Sequence, residues 1–308
     1  MARAVLTADL GGTKIAAARV EQSGRITHRL LAATPREGGR AVVEVLTDLL
    51  RQLPMKDACA IGVDVPGLAR ADGIVWAPNI PGWESMPLGR ILGRRFHLPV
   101  LVDSDRNAFV TGEAWLGSAR NCRDVVFVSI GTGIGAGIIS GGRLIRGHGE
   151  LAGCLGWMAT RDRYLPGYEA VGCLESHAAG PGIARAAGRA FGRAMDTGEV
   201  VALARRGDGR AREVIREAGR ELGRALASVV DVLNPEMIVI GGGVAAAGNL
   251  LLDPARDELK RWAQPIASRQ VRIRRSRLGP SRSGSNAGLL GIARLCFDRF
   301  PAKKGRLR

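Results

Sequence analysis

Two stretches of this chain repeat one pattern. Residues 5–27, VLTADLGGTKIAAARVEQSGRIT, and 125–147, VVFVSIGTGIGAGIISGGRLIRG, each run from an apolar strand into a Gly- and Thr-bearing turn, then through a second and a third strand. Ser129 stands in the second copy where Asp9 stands in the first. A repeat of this size predicts duplicated domains facing each other across a cleft. In the first half the meander leads to an amphipathic helix near 39–53, with Val42, Val43, Leu46, Leu49 and Leu50 on one face. A buried strand, ACAIGVDVPG (58–67), a second, PVLVDSD (99–105), and a helix from RNAFVTGEAWLG follow. The second half carries helices near 172–193, 197–205 and 210–232, the strand EMIVIGGGV, a helix near 249–263, the strand VRIRRS and a last helix from about 285 to 299. The fold class is α/β, with an N-terminal domain at 1–118, joined by the last helix at about 285–308, and a C-terminal domain at 119–284.

With 308 residues, 46% of them hydrophobic and 24% charged, the chain has enough material for a sizeable core, which excludes disorder and disulfide-stapled miniproteins. No run of about 18 apolar residues predicts a membrane helix. The opening MARAVLTADLGGTK puts Asp9 and two glycines where a signal peptide needs its apolar stretch, so a cytoplasmic protein without a membrane partner is expected. The five cysteines, at 59, 122, 154, 173 and 296, contain no CxxC pair and read as reduced thiols.

The net charge of +16 suggests nucleic acid until its distribution is seen. Residues 260–308 hold fourteen Lys or Arg against one acid, Asp298, so the rest of the chain is nearly neutral. Such an end reads as a solvated terminus, and no helix-turn-helix, zinc finger or aromatic-interleaved basic strand supports a nucleic-acid partner.

The turns carry the chemistry. In DLGGTK, Gly11 and Gly12 let phosphate oxygens approach backbone N–H groups, Thr13 adds a hydroxyl, Lys14 a cation, and Asp9 a carboxylate suited to Mg²⁺ through water. GTGIGAG supplies Thr132 and Gly133 in a matching turn, and Gly241 and Gly242 follow the apolar strand MIVI, where α/β sheets bind ligands. Three such loops predict a nucleotide site, although neither a P-loop nor a dinucleotide fingerprint is present. Phosphoryl transfer needs a base; in PVLVDSD, Asp103 and Asp105 share a face, and Asp105 sits at the strand's carboxyl end. The plainer alternative is that one of them caps the next helix.

DLGGTK, VPG, APNIPGW, VDSDRNA, GTGIGAGIISGGRLIRG, GCLES and IVIGGGV, in this order and spacing, resemble the ROK family of repressors, open reading frames and sugar kinases, over about residues 4–299. The resemblance implies an actin-like, hexokinase-type (ribonuclease H-like) fold, Mg-ATP-dependent phosphorylation of a sugar hydroxyl and a homodimer. It favours a kinase over a repressor, because the chain opens directly on the phosphate motif. Carried to matching positions, it makes Asp105 the catalytic base, Gly11, Gly12, Thr13 and Lys14 the first phosphate loop, Thr132 and Gly133 the second, and Gly241 and Gly242 contacts on the nucleoside side. Gly67, Asn79, Ser104 and Glu175 fall at positions that border or bind the sugar.

Several positions depart from the family pattern. Ser104 replaces the Asn before the catalytic Asp, and AGCLGW replaces AGE-x-GH, putting Cys154 for the sugar-binding Glu and Trp157 for the His that touches sugar and zinc. The usual CxCGxxGC segment reads PGYEAVGC and keeps only Cys173. His177, at i+4 from Cys173, with His148 and Cys154 upstream, offers another ligand set, but its spacing matches no zinc motif and zinc is not expected. Losing polar sugar contacts together shifts which acceptor fits, and Trp157 offers a ring face an apolar platform. The expectation is an ATP-dependent kinase acting on a modified sugar or cyclitol. Its alternatives are a glucokinase with an atypical pocket, or a non-catalytic sugar or nucleotide sensor. Asp64, in GVDVPG, stands where the family tends to have a small residue, and reads equally as a turn stabiliser or a substrate contact.

Overall fold

The first repeat folds as an antiparallel meander of β1 (Ala4–Leu10), β2 (Lys14–Glu21) and β3 (Ile26–Ala33). Leu10 pairs with Ile15, so the chain reverses through Gly11–Lys14, and the Gly11 N–H donates to the Lys14 carbonyl at 2.9 Å. Next come α1 (Gly39–Arg51), β4 (Ala58–Val65), the two-residue strands β5 (Leu68–Ala69) and β6 (Val75–Trp76), α2 (Leu88–Phe96), β7 (Val100–Ser104) and α3 (Asp105–Leu116). The computed structural model describes residues 3–278, 280, 281 and 284–301.

The second repeat gives β8 (Val125–Ile130), β9 (Ile134–Ser140) and β10 (Arg143–Leu144). Helices α4 (Tyr168–Val171), α5 (Cys173–Ala178), α6 (Gly180–Phe191), α7 (Thr197–Arg205) and α8 (Gly209–Leu233) precede β11 (Met237–Gly241). The chain closes with α9 (Asn249–Trp262), α10 (Pro265–Gln270), β12 (Arg272–Arg275) and α11 (Asn286–Arg299). One unit comprises the chain up to Arg120, Arg146–Leu151 and the segment from Leu278 on; the other comprises Asn121–Ile145 and Ala152–Arg277.

Each unit is built on a five-stranded sheet, in the orders β3-β2-β1-β4-β7 and β10-β9-β8-β11-β12. In both, the meander is antiparallel and the last two strands run parallel to its first. The sequence repeat is therefore a repeat of topology.

In the first unit the period of two along each strand sorts the side chains. Leu6, Ala8, Ile61, Val63, Val65 and Val102 join the core formed with α1 and α2. Val5, Ala60 and partly buried Leu101 pack on the opposite face, with Leu289, Leu290, Ala293 and Phe297 of α11. On that face α3 and α11 meet through glycine: a methyl group at Gly291 would collide with the Ala108 carbonyl, and one at Gly112 with that of Ala287. In the second unit one core joins β8, β9 and β11 to α5–α9.

The helix expected over 172–193 is two helices, broken at Ala179, whose backbone is extended (φ −76°, ψ 165°). Pro181 explains the break, since proline belongs in a helix's first turn and not its interior. Helix α2 was not anticipated; it buries Leu88, Leu92 and Phe96 at helical spacing within nine residues.

Candidate active site

Three parallel strands of the first unit carry an aspartate at the next-to-last position, on the face that carries α3 and α11. Asp9 on β1 stands in register with Asp64 on β4, and Asp64 with Asp103 on β7. Each holds the position two residues beyond a small or apolar neighbour on that face (Thr7, Gly62, Leu101), so alternation alone places the three carboxylates side by side. Asp64 is 0% exposed and Asp103 1%.

Asp103 is fully partnered. Its carboxylate receives both terminal nitrogens of Arg146, the Asn107 side-chain amide at 2.8 Å and the Ser104 N–H at 2.8 Å. Arg146 also binds Glu150 at 2.8 Å, and Glu150 has a left-handed backbone (φ 64°). These contacts fix the start of α3. Ser104 is its N-cap and accepts from the Asn107 N–H, leaving Asp105 as the first helical residue. Capping is thus done by Ser104, and Asp105 accepts from the Arg106 N–H at 2.7 Å. Burial raises the Asp105 carboxyl to about 6; Arg106 opposes that rise and the Asp9 charge adds to it.

Asp9 and Asp64 lie against each other. Burial, followed by the charges of Asp9 and Asp105, pushes Asp64 well above the usual carboxylate range. Burial also raises Asp9, while its contact with Asp64 and the charge of Arg29 pull it back. The side-chain contact of Asp64 is with Asp9, and its buried oxygens accept from no backbone N–H, so neither stabilises a turn.

Beyond β1, the turn at Gly11, Gly12 and Thr13 is braced from β3. The Thr34 N–H donates to the Thr13 carbonyl at 3.0 Å, and the Thr34 hydroxyl to the Gly11 carbonyl at 2.7 Å. A methyl group at Gly12 would meet nothing within 4 Å, and Lys14 is exposed, so the outer side of the turn is open to a ligand. Gly67 has φ 111°, where a side chain would strike the Trp76 carbonyl, and Asn79 is exposed in the loop after β6.

In the second unit the turn at Gly131, Thr132 and Gly133 closes through the Gly131 N–H to the Gly133 carbonyl at 2.9 Å. Glu175, on α5, lies under this turn. Its Oε2 accepts from the Ile134 N–H at 2.6 Å, and a methyl group at Gly133 or Gly156 would come within 2.8 Å of the same oxygen. That brings Glu175 beside the Cys154–Trp157 segment, where Cys154 is partly buried and Trp157 is 52% exposed. Gly241 and Gly242 owe their identity to packing: a side chain at Gly241 would strike the Phe127 ring, and Gly242 (φ 84°) abuts the Ile130 backbone. Gly243, by contrast, has open space around it.

Among the described residues, no three or more His, Cys, Asp or Glu side chains are grouped as a metal-ion site. Cys173 is buried with its thiol 3.7 Å from the Thr160 hydroxyl, and the His177 ring meets the Tyr168 hydroxyl at 2.6 Å. His148 is exposed.

Sequence reasoning missed Arg146, Asn107 and Glu150. Asn107 had a local signal, lying one helical turn beyond Asp103, whereas Arg146 is 43 residues away and had none.

The ROK family profile matches residues 5–299, and the chain belongs to that family. A glucokinase from Streptomyces coelicolor is 31% identical over 321 residues, spanning 95% of this chain and 97% of the relative. The crystal structure of a ROK hexokinase from Thermus thermophilus is 36% identical with a TM-score of 0.78, covering 94% of this chain and 96% of that one. A ROK family glucokinase from Streptomyces griseus, solved in complex with glucose and AMPPNP, is 30% identical with a TM-score of 0.79, covering 95% and 98%. The α/β architecture read from the sequence is thus the hexokinase-type, actin-like fold of this family.

Proposed function

We propose that this chain is an ATP-dependent carbohydrate kinase in which Asp105 is the general base. The observation that carries the reading is the Asp105 carboxyl, anchored at the first residue of α3 and raised to about 6. A base with that affinity is largely ionised at neutral pH yet basic enough to accept a hydroxyl proton. As the acceptor oxygen attacks the γ-phosphorus, its proton passes to Asp105, the bond to the bridging oxygen breaks and ADP leaves. Gly11, Gly12, Thr13 and Lys14, with Thr132 and Gly133, are the proposed phosphate contacts, and Gly241 and Gly242 shape the nucleoside side.

The residues also suit Mg²⁺, a hard cation that prefers oxygen. Asp9 would hold it through water beside the Gly11–Thr13 turn, with Asp64 next to it in the sheet. When bound, the ion offsets the charge of the phosphates.

The acceptor we propose is a modified sugar or cyclitol rather than ordinary glucose. Cys154 and Trp157 support this, because they replace two polar sugar contacts with a thiol and an exposed ring. The family resemblance supports a cytoplasmic homodimer. The test is ADP release from Mg-ATP across hexoses, N-acetylhexosamines, deoxy sugars and cyclitols, with Asp105→Asn as the blank. Turnover on one acceptor that vanishes in the blank is expected, and Cys154→Glu with Trp157→His should move preference toward glucose. ATP binding without turnover on any acceptor would favour the sensor reading instead.

A further inference from the structure

The zinc ligands of the family pattern, a His and three Cys, fall in this chain at Trp157, Pro166, Tyr168 and Cys173. Zinc takes thiolate, imidazole and carboxylate ligands, so one thiol among an indole, a proline ring and a phenol does not make a ligand set. Cys173 itself is buried, with its thiol against the Thr160 hydroxyl at 3.7 Å. The residues present do not fit the ion. Ordering the segment from Trp157 to Cys173 still costs conformational entropy, so some other fastening has to offset it.

The side chain that replaced the second cysteine supplies it. Tyr168 is 7% exposed, and its hydroxyl shares a 2.6 Å hydrogen bond with Nε2 of His177, nine residues on in α5. The two rings also meet edge to face, as do those of Tyr168 and Tyr164. Burial, joined by the charge of Arg161, holds the His177 ring below its ordinary value, so a neutral imidazole faces the hydroxyl. Arg161 ties the same stretch to α8 through Glu221 at 2.8 Å. Between Tyr168 and His177 lie the residues on which the Trp157 segment rests. The Leu174 N–H donates to the Met158 carbonyl at 3.3 Å, and a methyl group at Gly172 would stand 2.9 Å from the Trp157 Cα.

We propose that the Tyr168–His177 pair does in this chain the fastening that a zinc ion would do, and that both side chains are positioning residues for the acceptor, acting through Gly172 and Leu174 on Trp157. The inference deepens the kinase reading and rests on it for the acceptor alone. Neither side chain touches the reacting atoms; each sets where the Trp157 ring stands.

The test is a double-mutant cycle on the full chain with Tyr168→Phe and His177→Ala, read by thermal melting and by KM for the acceptor that is turned over. Each single variant should melt below the wild type and raise the acceptor KM about fivefold, the worth of one hydrogen bond, with kcat and KM for ATP within about twofold. The double variant should be no worse than His177→Ala alone, which already strands the hydroxyl. His177→Gln keeps a polar tip and should recover part of the loss. After purification with Zn²⁺ present, metal analysis should find zinc well below one equivalent, and phenanthroline should leave the melt unchanged. Additive losses in the cycle, or stoichiometric zinc whose removal lowers the melting temperature, would overturn the proposal. Turnover with a wild-type acceptor KM in both single variants sinks the positioning role and leaves the kinase standing. Non-additive melts in a protein that phosphorylates no acceptor sink the kinase and leave the fastening.

Discussion

Replacing Asp105 with asparagine should abolish activity and strengthen the fold, with both effects set by one carboxyl. Its ordinary value of 3.8 rises to about 6 in the folded chain, chiefly through burial. At 1.36 kcal/mol per pKa unit, keeping the ionised form in place costs the folded state about 3 kcal/mol, or about 2 after allowing for its partial exposure. Because the folded-state value is the higher one, the cost is absent below about pH 4, where the group is protonated whether folded or not, and complete above about pH 6. Asparagine escapes it. Asp105→Asn should therefore melt on the order of 5 °C above the wild type at pH 8, with the gap closing by pH 4. Over the same range kcat/KM of the wild type should fall as pH drops through about 6, to roughly a tenth of its plateau at pH 5, while the variant loses about 10²- to 10⁴-fold at every pH. Thermal melts at four or five pH values, paired with a coupled ADP assay, measure both. A stabilisation equal at pH 4 and pH 8, or an acid limb far below 6, would refute the argument that burial tunes this base.

Two further substitutions test the supports of the site. Arg146→Ala strands the Asp103 carboxylate, which is 1% exposed, and should cost about 3 kcal/mol in denaturant melts with a matching fall in kcat; Arg146→Lys should rescue only part, since it cannot grip both oxygens. Glu175→Ala removes the acceptor beneath the Gly131–Gly133 turn and should raise KM for ATP more than KM for the sugar, while Glu175→Gln, which keeps an acceptor oxygen for the Ile134 N–H, should stay near wild type.

Asp9 and Asp105 were legible in the sequence because each follows an apolar run, where a charge interrupts the pattern; Asp9 lies near the end of β1, whereas Asp105, read as the end of the strand, is the first residue of α3. The repeat of topology was legible for the same reason, since strand–turn–strand spacing is a local property. The partner of Asp103 is a long-range property: Arg146 reaches it only after the sheet has formed. Helix α2 escaped because nine residues offer too few apolar positions to separate a helix from a loop. The setting of Asp64 escaped for a subtler reason. A lone Asp inside ACAIGVDV shows that a carboxyl enters the core, but its neighbours are Asp9 on another strand and the α11 backbone at Gly288, more than two hundred residues later.

The two units separate what the duplication determines from what it leaves free. Equal strand order and equal register come from apolar alternation shared by the two copies, and neither needs a particular residue near a strand's end. Those positions are where the copies part: Asp9 and Asp64 in one, Ser129 and Gly241 in the other. The first unit holds carboxyls that are offset by Arg146 at Asp103, by the Arg29 charge at Asp9, or by protonation at Asp64. The second uses glycine and hydroxyl positions, which cost little to bury and let a ligand's oxygens approach backbone N–H groups. Asp64→Asn should accordingly raise the melting temperature at pH 8 and not at pH 4, since burial raises its carboxyl and the cost appears only as pH rises, while Ser129→Ala should leave the melting temperature near wild type at both. That difference follows from the chemistry at the strand ends, since the topology around them is the same.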